Sequence, residues 1–135
     1  MADTLELHVL TPQREICEET VSQVVAQGAL GQFGVLPDHV TLLTALEPGP
    51  LTFHRLAGGA ETLVVKGGYA EVRDNVMTVL ADDVLPLEGI DEKVARTDLE
   101  RAEAALVDAP FGHPDHERWL REARWAAVRL ELAHS

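Results

Sequence analysis

Chemistry in this sequence could come from six histidines, one cysteine, two serines and two groups of glycines. Gly67-Gly68 follows Val64-Val65-Lys66, and Gly28, Gly31 and Gly34 are spaced by three. A phosphate cradle needs glycines that open a helix, so that free amides face the anion, and neither group has that context or a following Gly-Lys-Ser/Thr. Tight turns and close backbone approach between strands account for both groups. His113 and His116 are three apart, but no cysteine or third histidine nearby completes a tetrahedral set, so they read as a solvated helix end. Asp82-Asp83 lies outside any EF-hand spacing. Ser22 and Ser135 are not in a Gly-x-Ser-x-Gly elbow. Cys17 precedes Glu18-Glu19, whose charges disfavour a thiolate. No catalytic residue, metal site or cofactor is expected.

The remaining concentration of charge is basic. Arg118, Arg121, Arg124 and Arg129 are four of the eleven basic residues. At 100° per residue, Arg118, Arg121 and Arg129 fall within an arc of about 80°, with Arg124 at its edge. Two readings stay open. The arc is either an ordinary solvated face, because Glu117, Glu122 and Glu131 are interleaved, or a docking strip for an acidic partner.

These residues sit on two kinds of element. Leu5, Leu7 and Val9 alternate with Glu6 and His8, the period of a half-buried strand, and Val21 to Ala26 is rich in β-branched residues. Residues 51–55 and 61–65 flank Ala57-Gly58-Gly59-Ala60, a hairpin signal. Residues 69–73 and 76–80 flank Asp74-Asn75, two residues tolerant of positive φ. Eight of the ten glycines fall between Gly28 and Gly68. Beyond Pro86 the period becomes helical. Leu99, Ala102 and Leu106, with Val94, Ala95 and Ala105 beside them, form one stripe behind Asp91 as N-cap. Trp119, Ala123, Ala126 and Leu130 form a second stripe in a helix starting near Asp115. The break at residues 109–114 is short enough to favour an antiparallel pair. The expected fold class is α+β: short, regularly spaced strands over 1–87 that point to an antiparallel β-sandwich or a barrel, then a C-terminal antiparallel two-helix hairpin over 88–135. The hairpin's alanine-rich stripes bury little area, so it should be stable only when laid on something else.

Composition excludes several functions. A formal charge of −12 opposes duplex nucleic acid, whose phosphates need a basic face. A single cysteine rules out an internal disulfide. No apolar run reaches the roughly 20 residues that span a bilayer, and residues 1–6 lack the basic flank of a secretory signal, so a cytoplasmic protein is expected.

The segment from Gly31 to His39, Gly-Gln-Phe-Gly-Val-Leu-Pro-Asp-His, is less generic. Leu7-His8-Val9-Leu10-Thr11-Pro12 precedes it, and Thr44-Ala45-Leu46-Glu47-Pro48-Gly49, Gly67-Gly68-Tyr69-Ala70-Glu71-Val72 and residues 75–82 follow. In order and spacing these segments resemble the epsilon subunit of bacterial F-type ATP synthase, over essentially the whole chain.

The resemblance implies a rotor subunit of the central stalk that couples proton flow to ATP synthesis, not an enzyme. It implies a sandwich that binds the gamma subunit and the c-subunit ring, with Gly31, Gln32, Phe33, Pro37 and His39 at that interface. The family often has a glutamate where Gln32 stands. It implies a hairpin that can extend into the alpha/beta catalytic head and inhibit ATP hydrolysis, with Arg118, Arg121, Arg124 and Arg129 meeting acidic loops there. The complex would lie at the cytoplasmic face of the bacterial membrane, with this chain peripheral. Some members hold ATP through Ile/Leu-Asp-x-x-Arg-Ala. Here that segment reads Ile90-Asp91-Glu92-Lys93-Val94-Ala95, so Val94 replaces the arginine. Leu85 and Trp125 replace two further charged residues of that site, while Arg101 and Arg129 match. ATP binding is therefore expected to be weak or absent, the site being a vestige formed by Ile90, Asp91, Ala95, Arg101 and Arg129. The alternative is a free-standing acidic β-sandwich binding module, which would not co-purify with gamma.

Overall fold

The computed structural model describes residues 3–134, so Ser135 lies outside the described residues. Among the described residues nine strands come first: β1 (Leu5–Leu10), β2 (Glu15–Gly28), β3 (Gly31–Val35), β4 (Leu42–Leu46), β5 (Gly49–Arg55), β6 (Ala60–Val65), β7 (Gly68–Arg73), β8 (Val76–Ala81) and β9 (Val84–Pro86). A 3-10 turn at Leu87–Gly89 leads to helices α1 (Glu92–Asp108) and α2 (His116–Ala133). The chain divides into two compact units, one ending at Pro86 and the other starting at Leu87, one residue before the boundary read from sequence.

The first unit is organised by β2. Its 14 residues pair with β1 at the start, β5 in the middle and β3 at the end, and Gly28 at its tip meets Leu46 of β4. The sequence pattern showed only the part from Val21 onward, because Glu15–Thr20 is too polar to reveal an alternation. The sandwich is also not wholly antiparallel: β1 pairs with β8 in parallel, Leu7 opposite Met77 and Val9 opposite Val79. Topology requires this exception. Strands β1, β2, β4, β7 and β8 close a ring of five pairings, and directions cannot alternate around an odd ring.

Period-two alternation fills the interior. Leu5, Leu7, Val9, Val21, Val24, Val35, Leu51, Phe53, Val72, Met77 and Val79 are buried, each such side chain contributing about 1.5–3 kcal/mol relative to exposure. Gly68 is dictated by packing: its φ is +131°, and a Cβ there would lie 2.0 Å from the Leu80 carbonyl oxygen. The glycine pair thus serves close backbone approach. Asp74 and Asn75 turn with φ of 52° and 61°, the geometry of a two-residue hairpin loop with both centres at positive φ.

In the second unit Asp91 caps α1, its Oδ1 accepting from the amides of Lys93 (3.0 Å) and Val94 (3.2 Å). Asp115 precedes α2 without capping it through its side chain; instead its amide donates to His113 Nδ1 at 3.0 Å. The stripes differ in detail from the sequence reading. Ala95 and Ala102 are buried on α1 while Val94 is 49% exposed, and α2 buries Trp125, Ala126 and Arg129, leaving Trp119, Ala123 and Leu130 half-buried.

Candidate interaction surfaces

The residues singled out in the sequence fall on three surfaces. The first is the end of the β2–β3 hairpin and the loop after it. Gly28 pairs with Gly31, leaving Ala29-Leu30 as the connection, and Leu30 is fully exposed. A Cβ at Gly28 would sit 3.0 Å from the Phe33 ring, which packs half-buried on the core, so a side chain there would push that ring by a few tenths of an ångström. Gly31 has φ +118° with open space around it, and Gln32 is exposed opposite Gln27. After β3 the chain turns at Leu36-Pro37-Asp38-His39, closed by the His39 amide donating to the Leu36 carbonyl at 3.1 Å. Pro37 sets φ at the second position and Asp38 takes φ +64° at the third, as in a type II turn. Asp38 is then locked to the β7–β8 turn. Its amide donates to Asn75 Oδ1 at 2.6 Å, and Asn75 Nδ2 donates to Asp38 Oδ1 at 3.1 Å. His39 Nδ1 lies 2.7 Å from the Val40 carbonyl. Gly31, Gln32, Phe33, Pro37 and His39 therefore belong to one ordered segment that also exposes Leu36, Val40 and Leu43.

The second surface is one that sequence reasoning missed. Register puts Ala45 opposite Tyr69, Tyr69 opposite Leu80, and Leu80 opposite Leu10, an apolar row across β4, β7, β8 and β1. Tyr69 and Leu80 are more than half exposed. The available signal was the run Val76-Met77-Thr78-Val79-Leu80, in which only Thr78 is polar, so that apolar groups stand on both faces of one strand.

The third surface is on the helices. Arg118, Arg121 and Arg124 are exposed, with the Arg118 guanidinium 4.7 Å from the Trp119 ring centroid. Arg129 departs from the expected strip. It is 7% exposed, its Nη2 donating to Asp98 Oδ2 of α1 at 2.9 Å and its guanidinium standing 5.1 Å from the Trp125 ring centroid. The arc of about 80° was right as geometry, but Arg129 lies on its inward margin, where α1 offers a carboxylate.

The nucleotide-site vestige is likewise not assembled. A shallow hollow beside the start of α1 is lined by Ile90, Asp91, Glu92, Lys93 and Arg96, without Arg101 or Arg129. Asp91 is occupied as a cap, Arg96 pairs with Glu92 at 2.8 Å, Ala95 is buried, and Arg101 is exposed elsewhere on α1. Cys17 is no nucleophile: burial, then the charges of Glu19 and Glu61, push its thiol up to about 11. Glu19 and Glu61 both hold Arg55.

The first unit, with its exposed loop and apolar row, coincides with a known domain. The family model for the ATP synthase delta/epsilon chain β-sandwich domain matches residues 4–86. The chain belongs to the ATP synthase epsilon family. It is 36% identical to the ATP synthase epsilon chain of Geobacter sulfurreducens and 42% identical to that of Geobacter metallireducens, each over 133 residues. Both alignments cover 98% of this chain and 96% of the relative. As an epsilon chain it is a non-catalytic rotor-stalk subunit of ATP synthase. The fold recurs in a chain of the Euglena gracilis mitochondrial ATP synthase, with a TM-score of 0.82, 24% identity and coverage of 100% of this chain and 84% of that one. A chain from the central stalk and c-ring structure of the Tetrahymena thermophila enzyme gives a TM-score of 0.57 at 20% identity, covering 93% and 92%.

Proposed function

We propose that this epsilon chain joins the stalk to the c-subunit ring through the segment Gly31 to His39 and docks on gamma through the row Ala45, Tyr69, Leu80 and Leu10. The strongest support is the ordering of that segment. A loop that must transmit torque cannot flex, and the Asp38–Asn75 exchange ties it to a second turn by two hydrogen bonds. Gln32 stands exposed on it, able to donate and accept toward a polar loop, though without the charge that roughly doubles a hydrogen bond's strength. The half-exposed Tyr69 and Leu80 give the sandwich an apolar face suited to a permanent partner.

The hairpin is the regulatory element in this reading. When extended it would meet acidic loops of the alpha/beta head through Arg118, Arg121 and Arg124 and slow ATP hydrolysis. Arg129 would join them only after leaving Asp98. No described helix is long and apolar enough to cross a membrane. We place the chain peripherally, at the cytoplasmic face of the bacterial membrane, as part of the complex. Coupling of proton flow to synthesis follows from the two sandwich contacts. The test is a Gln32→Cys variant in a Cys17→Ser background, assembled into the intact complex and oxidised against a cysteine in the polar loop of subunit c. A cross-linked epsilon–c product is expected. A complex that retains epsilon yet gives no such product would remove the foot assignment.

A further inference from the structure

We propose that the outward face of the β1–β2 pair holds a first-row divalent cation, with Glu6, His8 and Glu18 as its protein ligands. Residues i and i+2 of a strand share a face, so Glu6 and His8 stand side by side on β1. Register then brings β2 opposite them, Thr20 facing Glu6 and Glu18 facing His8. One ligand atom from each of Glu6, His8 and Glu18 lies within 4.8 Å of the other two. Zinc with oxygen and imidazole ligands at about 2.0–2.2 Å separates neighbouring ligand atoms by roughly 3.4 Å in a tetrahedron, so small side-chain adjustments close the set.

Two neighbours already orient the ligands. The Thr20 hydroxyl donates to Glu6 Oε1 at 2.7 Å, which leaves the other carboxylate oxygen to face the ion. His8 Nδ1 lies 3.2 Å from Glu15 Oε1. In the tautomer with its proton on Nδ1, toward that carboxylate, the lone pair lies on Nε2, the arrangement in which metal-bound histidines are held by an outer carboxylate. Glu6, Glu15 and Glu18 put three carboxylates around one imidazole on a chain of formal charge −12, so a bound dication relieves their mutual repulsion. One nitrogen with two oxygens suits Zn²⁺, Co²⁺ or Ni²⁺. Mg²⁺ and Ca²⁺ prefer all-oxygen shells. Water completes the coordination, and the ion ties β1 to β2 within the ring of five strands.

The experiment is calorimetric titration of the purified, tag-free full chain with Zn²⁺, with and without a hundred-fold excess of Mg²⁺. One saturable site that Mg²⁺ does not displace is expected. His8→Ala and Glu18→Gln should each weaken it at least ten-fold, and Glu15→Gln roughly ten-fold. A His113→Ala/His116→Ala double variant should bind as the parent does. Glu18 is exposed, so Glu18→Gln keeps the test open if His8→Ala misfolds. Absence of a saturable site, binding that survives both His8→Ala and Glu18→Gln, or loss of binding in the His113/His116 double variant would overturn the assignment.

Discussion

Replacing Asp98 with asparagine should loosen the helical hairpin more than any other single surface-charge change in it. The substitution keeps the side chain's shape but removes the negative partner of Arg129, whose own side chain is 9% exposed against 33% for Asp98. A hydrogen bond to a charged group contributes about 1.5–3 kcal/mol, and stranding a buried partner costs about 3–5 kcal/mol. Asp98 is partly wet, and Arg129 keeps the Trp125 ring and the Trp125 carbonyl, at 3.4 Å from its Nε. A loss of about 2 kcal/mol is therefore expected, which raises the open population of the hairpin roughly thirty-fold. Native-state hydrogen exchange on the full chain measures this directly, since amides in 92–108 and 116–133 report local opening separately from the sandwich. Arg129→Met should cost less, because the carboxylate it leaves behind can turn to water. An Asp98→Leu/Arg129→Met double variant should recover much of the loss, exposing the pairwise coupling. Unchanged protection in Asp98→Asn, or a coupling below about 0.5 kcal/mol, would refute the latch. In the assembled enzyme the loosened hairpin should extend more often, so ATP hydrolysis should slow rather than rise.

Truncation after Leu87 should leave a folded sandwich that still binds gamma while relieving inhibition of ATP hydrolysis, measured as ATPase rate of the reconstituted complex. Arg118→Glu/Arg121→Glu/Arg124→Glu should relieve it similarly, with an effect that shrinks as salt is added, because like charges would face the acidic loops. Calorimetry of the purified chain with Mg-ATP should show no saturable micromolar binding, since Val94 offers no donor and Arg129 is engaged by Asp98. Gly68→Ala should cost more than about 3 kcal/mol in urea unfolding, because it adds a steric collision with the Leu80 carbonyl to an unfavourable φ.

Period and punctuation made much of this protein legible from its sequence. Alternation in residues 5–10, the Gly58-Gly59 and Asp74-Asn75 turns and the Asp91 cap each follow from interactions within a few residues, which is what a sequence displays locally. The segment Gly31 to His39 stood out through its resemblance to the epsilon family; within it Gly31, at φ +118°, answers to backbone geometry at its own position. Strands β3, β4 and β9 were less visible: all three are short, β3 carries two glycines, β9 ends on a proline, and β4 reads Leu-Leu-Thr-Ala-Leu without a clean alternation. The tertiary structure decided everything that depends on register between distant residues. The parallel β1–β8 pairing comes from closing an odd ring, which no single strand encodes. The row Ala45, Tyr69, Leu80 and Leu10 exists only once four strands are aligned. Arg129 illustrates the limit best. On its own helix it belongs to a basic arc, but a carboxylate 31 positions earlier draws it inside. Glu18 reaches Glu6 and His8 by the same route, because chain reversal between β1 and β2 places side chains together that helical or strand periodicity cannot relate.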